Sequence, residues 1–403
     1  MKKSILISVY DMEIGGIERS LVNMLESFDY AQYNVDLLVF EHRGDFMNLI
    51  PNKVNLLPQI DKYTVFRKPV IQCLKEGHYS VTLIRTMSRY VANIKAKARN
   101  LEEGSGYIQM QLTSKYSSYF MPKQKKQYDV AISYAWPHDV LSNRIDAKKK
   151  IAWIHTDYSK LEIDNKIDFE MWNRFDYIAS ISDECTHSFL TTYPLLKDKV
   201  ILIENITSPG FIQSMAEDEI TLNDKHNDTF TILSVGRLSY VKGFDLAVKA
   251  LRLLHDKGFT NMKWYVVGYG GYETELEELI AKNNLEDSFV LLGKKTNPYP
   301  YIKACDIYVQ PSRYEGKAVT VTEAQILGKP ILITNYPTSG SQVEDGVDGI
   351  ICDLSAEGIA GGIERLFMNE ELRDTLINHT NNKDYSNEYE LNKLYEVIEY
   401  ETN

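Results

Sequence analysis

The chain has 403 residues, 44% of them hydrophobic and 25% charged, which is enough for two ordinary domains and too apolar for disorder to be the default. A formal charge of −11 weighs against nucleic acid as a partner. No apolar run approaches the roughly 20 residues that cross a bilayer, and the four cysteines, at 73, 185, 305 and 352, form no CxxC pair, so neither a disulfide framework nor a zinc site is expected.

Along the chain, short β-branched runs alternate with longer amphipathic stretches, the pattern of parallel α/β layers. "SILISVY" (4–10) reads as a first buried strand and not as a targeting segment, because its apolar run soon meets Asp11 and Glu13. Gly15 and Gly16 then open an amphipathic helix. Further strands are expected at 34–40, 129–135, 150–155, 177–182 and 199–205. Between the second and third lies a cationic insertion, 62–126, with 13 basic and 3 acidic residues. Its "VTLIRTMSRYVANIKAKAR" reads as a basic amphipathic helix. Val81, Leu83, Ile84, Met87, Val91 and Ile94 form one face, and Arg85, Arg89, Lys95, Lys97 and Arg99 mostly another.

Residues 206–229 are polar, contain Pro209 and Gly210, show no sustained periodicity and read as a linker. A second strand series follows at 229–238, 263–270, 288–293, 306–312, 330–336 and 349–353. Ser386 reads as the cap of a last helix carrying Leu391, Leu394, Val397 and Ile398. The expected organisation is α/β: two Rossmann-like doubly wound domains, 1–205 and 206–385, facing a cleft, with a terminal helix, 386–403, crossing back to the first domain. Ligands of such sheets bind outside the carboxyl ends of the strands, so the cleft is the expected site.

Three stretches carry chemistry. At Gly15-Gly16, flexible backbone and a helix start can approach an anion, but the third glycine of the dinucleotide fingerprint is missing, which disfavours a nicotinamide or flavin enzyme. In "SVGRLSYVKG", Arg237 and Lys242 stand five apart on a loop after a strand, where a fork and a mobile point charge suit a diphosphate. In "DIYVQPSRYEGKAVTVTEAQILGKP", Glu315 sits on a loop and Glu323 about one and a half turns into a helix, on an exposed or cleft-facing side. The N–H groups of Lys317, Ala318 and Val319 between them are orphan donors pointing outward. Two acids of different depth around free N–H groups suit a ligand with both phosphate and hydroxyls. By contrast, Glu273 and Glu275 already satisfy the helix after "VVGYGG", whose glycines read as turn geometry.

Taken together, "GGIERSL", "IAWIHTD", "SVGRLSYVKG", "VVGYGG", "NPYPYIKACDIYVQPSRYEG" and the spacing Glu315-x7-Glu323 resemble the retaining glycosyltransferases of the GT-B fold, family 4 (glycosyl transferases group 1), in order from residue 15 to about 353. The resemblance implies that Glu323 binds the ribose hydroxyls of a nucleotide-sugar donor and that Glu315 lies beside the transferred sugar. Arg237 and Lys242 would neutralise the diphosphate leaving group, assisted by the backbone at Gly16, Ala318 and Val319. It also implies a base-binding loop at Lys294 and Lys295, and a sugar contact from His155, with Asp157 a weaker neighbour. No metal or cofactor is implied. The chain departs from the family at 315–318, where Glu-Gly-Lys-Ala replaces the common Glu-Gly-Phe-Gly, so the packing of the sugar is open and Lys317 is an added candidate contact.

The implied activity is hexosyl transfer from a UDP-sugar, with retention, to a glycan, lipid-linked or wall-polymer acceptor in cell-envelope polysaccharide synthesis. A non-catalytic nucleotide-sugar-binding partner of a larger complex would keep Arg237, Lys242 and Glu323 and turn over nothing. The expected location is cytoplasmic, and the basic segment suits either solvent or an anionic membrane at the inner face of the plasma membrane.

Overall fold

The computed structural model describes residues 2–101, 104–220, 229–315 and 318–400. They form two compact units, Met1–Thr207 with Asn387–Asn403 and Ser208–Ser386. In the first, strands β1 (Lys3–Val9), β2 (Tyr33–Val39), β3 (Asn55–Leu56), β4 (Gln127–Ser133), β5 (Asp146–Ile154), β6 (Tyr177–Ser180) and β7 (Val200–Leu202) pair in the order 3-2-1-4-5-6-7. In the second, β8 (Phe230–Val235), β9 (Met262–Val267), β10 (Phe289–Gly293), β11 (Ile307–Gln310), β12 (Ile331–Thr334) and β13 (Ile350–Cys352) pair in the order 10-9-8-11-12-13. Every ladder is parallel.

Parallel strands with helices on both faces have no solvent side, which is why Ile5, Leu6 and Ile7 are consecutive apolar residues and all fully buried. In the second unit the two faces carry separate apolar clusters. One gathers Trp264, Val266, Phe244 and Leu251, the other Tyr265, Val267, Tyr308 and Ile333. Alternation along β9 sends Trp264 and Val266 to one face and Tyr265 and Val267 to the other.

The last helix, Glu390–Glu399, belongs to the first unit. Its buried Leu391, Leu394, Val397 and Ile398 form one stripe, while Tyr395 stacks on Tyr33 at 5.1 Å and its hydroxyl accepts the Asp29 N–H at 2.8 Å. Lys149 donates to the carbonyls of Val397 and Tyr400, a cation placed on the negative end of this helix. Ser386 does not cap it; Tyr389 occupies that position, without a side-chain bond.

Two sequence expectations change. Residues 209–215 are a helix, Pro209–Met215, and not plain linker. Proline is favoured at a first helical position, where its missing N–H costs nothing. The insertion helix, Tyr79–Arg99, divides the expected apolar face: it buries Val81 with Ser88, Ala92 and Ala96 and leaves Leu83, Met87, Val91 and Ile94 exposed. Its cations explain this. Arg85 donates to the Val65 carbonyl at 2.7 Å and to the Lys68 carbonyl, and Lys95 pairs with buried Asp164, so part of the basic face is anchored inward.

Candidate functional site

In the second unit the strand order reverses between β8 and β11, and the loops that leave their carboxyl ends flank that switch point. The loop after β8 carries Arg237 and Lys242; the loop after β11 carries Glu315. Two close backbone approaches shape them. A Cβ on Gly243, which has φ +70°, would lie 1.9 Å from the Pro311 carbonyl oxygen, and one on Gly270 would lie 2.2 Å from the Leu238 carbonyl oxygen. Only glycine lets these loops stack so tightly.

Lys242 Nζ contacts Glu315 Oε1 at 2.6 Å. The same oxygen accepts the Ser312 hydroxyl at 2.6 Å and Gln310 Nε2 at 3.0 Å, and Gln310 is itself held by the Tyr308 hydroxyl at 2.7 Å. Glu315 Oε1 is therefore saturated with donors, while Oε2 has no hydrogen-bond partner among the described residues. Lys242 has three N–H bonds and uses one on Glu315, leaving two for an anion. Arg237 is exposed and makes no hydrogen bond or ion pair among the described residues. The loops thus offer an open guanidinium, a partly engaged ammonium and one free carboxylate oxygen.

Sequence reasoning missed the clamp that locks them. Arg313 forks Asp245 with two bonds of 2.7 Å, donates to the Tyr240 carbonyl at 2.7 Å and lies 3.9 Å over the Tyr240 ring. Its own N–H bonds the Val241 carbonyl at 2.8 Å. An acid two residues after Gly243, in the first turn of helix Phe244–Asp256, was the available signal, since such an acid also suits the helix dipole.

Two expectations at the second carboxylate are corrected. Glu323 is fully buried, and not exposed, with the Tyr299 hydroxyl donating to its Oε1 at 3.0 Å. Helix Val319–Ile326 is buried on most of its sides, taking in Val321, Ala324, Gln325 and Ile326 together with Glu323. The Ala318 N–H is not an open donor: Gln342 Oε1 accepts it at 3.0 Å and Gln342 Nε2 returns a bond to the Ala318 carbonyl at 3.2 Å. Val319, the first helical residue, is exposed; Lys317 lies outside the described residues. Lys295 sits after β10 with its ammonium 5.7 Å over the Tyr301 ring.

Gly15, Gly16 and His155 belong to the first unit. There too the order reverses between β1 and β4, with Gly15-Gly16 following β1 and Tyr134 following β4. Gly15 caps helix Gly16–Glu26, but the mouth is not bare: a Cβ on Gly15 would meet Glu18 Oε2 at 2.3 Å, while the space at Gly16 is open. Burial, with Asp11 and Glu13 nearby, raises the Glu18 carboxyl above its usual pKa. His155 follows β5 and its ring lies tilted by 56° against Tyr134, with ring centroids 4.7 Å apart. Burial lowers its pKa to about 4, so the imidazole is neutral near pH 7. Its Nε2 lies 2.7 Å from the Tyr134 carbonyl, which can only accept, so Nε2 carries the proton and Nδ1 is left as an acceptor for a hydroxyl. Asp157 caps the turn Tyr158–Lys160, accepting from the Ser159 N–H at 3.0 Å.

Residues 216–383 match the family model for Glycosyl transferases group 1. That span holds every candidate site residue of the second unit. Over 231 residues the chain is 27% identical to the capsular polysaccharide biosynthesis glycosyltransferase CapM of Staphylococcus aureus, covering 55% of this chain and 60% of that one. Four such curated relatives are spanned over 37% to 60% of their length. The fold is shared along nearly the whole chain with the crystal structure of Anabaena HepE in complex with UDP and glucose (TM-score 0.63, 16% identity, 98% of this chain and 99% of that one). It is shared equally with a mutant of Staphylococcus aureus TarM crystallised with Fondaparinux, alpha-GlcNAc-glycerol and UDP (TM-score 0.65, 14% identity, 99% and 100%).

Proposed function

We propose that this protein is a retaining, metal-independent glycosyltransferase that moves a hexose from a UDP-sugar to a glycan, lipid-linked or wall-polymer acceptor in cell-envelope polysaccharide synthesis. The observation that carries the reading is the pairing of Lys242 with Glu315 at the β8/β11 switch point, on loops that also carry exposed Arg237. It is supported by the family match over 216–383 and by relatives named for capsular polysaccharide and amylovoran biosynthesis. It is supported further by the Campylobacter jejuni relative named for transfer of N-acetylgalactosamine to a diphospho-undecaprenol glycan.

In this mechanism the bond between the anomeric carbon and the β-phosphate oxygen breaks while a bond to the acceptor oxygen forms on the same face. The acceptor proton passes to the departing phosphate oxygen. Arg237 and the two remaining N–H bonds of Lys242 meet the charge that grows on that phosphate, the transition-state stabilisation a preorganised cation supplies. Glu315 Oε2 accepts a sugar hydroxyl. In the first unit, neutral His155 offers Nδ1 as a hydroxyl acceptor and does not act as a base. Glu323 takes the ribose hydroxyls, since a carboxylate accepts several hydrogen bonds and the Tyr299 hydroxyl on Oε1 uses one of them.

A panel of UDP-, GDP- and ADP-sugars, assayed for hydrolysis and transfer with and without EDTA, tests this. Turnover of UDP-sugars unaffected by chelation is expected; preference for another base, loss of activity in EDTA, or binding without turnover would each overturn the corresponding part.

A further inference from the structure

The insertion helix Tyr79–Arg99 presents an apolar stripe that the fold leaves uncovered. Tyr79, Leu83, Met87, Tyr90, Val91 and Ile94 are between 37% and 70% exposed. At 3.6 residues per turn they fall within a sector of about 120°, opposite the buried Val81, Ser88, Ala92 and Ala96. Ile71 and Leu74 of the preceding helix, Val70–Lys75, are exposed as well. Singly exposed apolar side chains are ordinary, whereas a continuous stripe on one helix marks a surface that meets something apolar.

The charges around the stripe say what that is. Arg85 and Lys95 are anchored to the protein, but Lys75, Arg89 and Lys97 are exposed and make no hydrogen bond or ion pair among the described residues. The helix contains no acid, and residues 62–126 hold 13 basic against 3 acidic residues in a chain whose total charge is −11. A second copy docked on this face would set two such cationic segments against each other. An anionic lipid surface complements both features, taking apolar side chains below the headgroups and cations at the phosphates.

We propose that helix Tyr79–Arg99 lies in the plane of an anionic bilayer, with Leu83, Met87, Tyr90 and Ile94 inserted at the acyl boundary and Arg89 and Lys97 on lipid phosphates. The apolar stripe makes the first contact, and the inward-facing Arg85 and Lys95 hold the helix to the body of the unit. None of these residues belongs to the donor site, so the surface stands whether or not the sugar-transfer reading does.

The test is co-sedimentation of the full chain with phosphatidylcholine vesicles that contain or lack phosphatidylglycerol. Binding only to the anionic vesicles is expected. It should fall at least about tenfold in a Leu83→Ser/Met87→Ser/Ile94→Ser variant and in an Arg89→Glu/Lys97→Glu variant, with thermal melting by circular dichroism unchanged in both. No binding of the wild type to anionic vesicles, or undiminished binding of either variant, would overturn the proposal. So would a concentration-dependent dimer that the serine variant abolishes, since the stripe would then be covered by a second copy.

Discussion

Replacing Arg313 by alanine removes the clamp between the loops that follow β8 and β11. The side chain makes two bonds of 2.7 Å to Asp245 and one of 2.7 Å to the Tyr240 carbonyl, and it covers the Tyr240 ring at 3.9 Å. Breaking a buried ion pair by deleting one partner costs about 3–5 kcal/mol, because the other charge is left unpaired. Arg313 and Asp245 side chains are 19% and 11% exposed, so water recovers part of that and about 2–3 kcal/mol remains. Arg313→Lys should recover little of it, since an ammonium cannot fork a carboxylate. Asp245→Asn in the Arg313→Ala background should recover at least about 1 kcal/mol by removing the orphaned charge. Hydrogen exchange read by mass spectrometry is the suitable assay, because it resolves the second unit separately in a chain whose unfolding need not be two-state. Amides at 240–246 and 311–315 should lose protection together in Arg313→Ala. Loss below about 1 kcal/mol, or an Asp245→Asn effect that simply adds, would refute the clamp.

Gly243→Ala forces a Cβ to within 1.9 Å of the Pro311 carbonyl oxygen at φ +70°; a cost of at least about 2 kcal/mol is expected in thermal melts, with donor hydrolysis lost alongside. Gln342→Ala leaves the Ala318 N–H and the buried Tyr336 hydroxyl without their acceptor, which should cost about 2–3 kcal/mol and is read the same way. Burial lowers the pKa of His138 to about 3 and of His155 to about 4. Their unfolded forms titrate near 6.5, so the unfolded chain binds more protons between these values. Stability is thus complete above about pH 6.5 and falls toward pH 4, by at most about 1.4 kcal/mol per pH unit for each histidine. Urea titrations from pH 7 to 5 should show this decline, and His155→Gln should flatten it.

The strands were legible because a parallel sheet covered on both faces demands uninterrupted apolar runs, and all but one lie within a residue or a few of the sequence runs. The exception is β3, two exposed residues pairing Asp36 and Leu37 at the sheet edge, which carries no apolar signal. Lys242 and Glu315 were each legible as a loop charge after β8 and β11, but not as a pair. The donors Gln310 and Ser312 were not legible, because they reach Glu315 through an irregular loop that has no period, and Arg313 was not, because Asp245 lies 68 residues away. The insertion helix misled for a related reason: helical spacing separates Leu83 from Arg85, but only Asp164 and the carbonyls of Val65 and Lys68 decide which side turns inward. Glu323 was placed outward because a carboxylate is seldom fully buried, and the Tyr299 hydroxyl that accompanies it lies 24 residues away.

The diphosphate grip is tested most directly by calorimetric titration of UDP into the wild type and Arg237→Met. Arg237 has no hydrogen-bond or ion-pair partner among the described residues, so its removal orphans no described group. Saturable binding of UDP by the wild type, weakened at least about tenfold in the variant, is the predicted result. Equal affinity in the two proteins, or no binding at all, would contradict it.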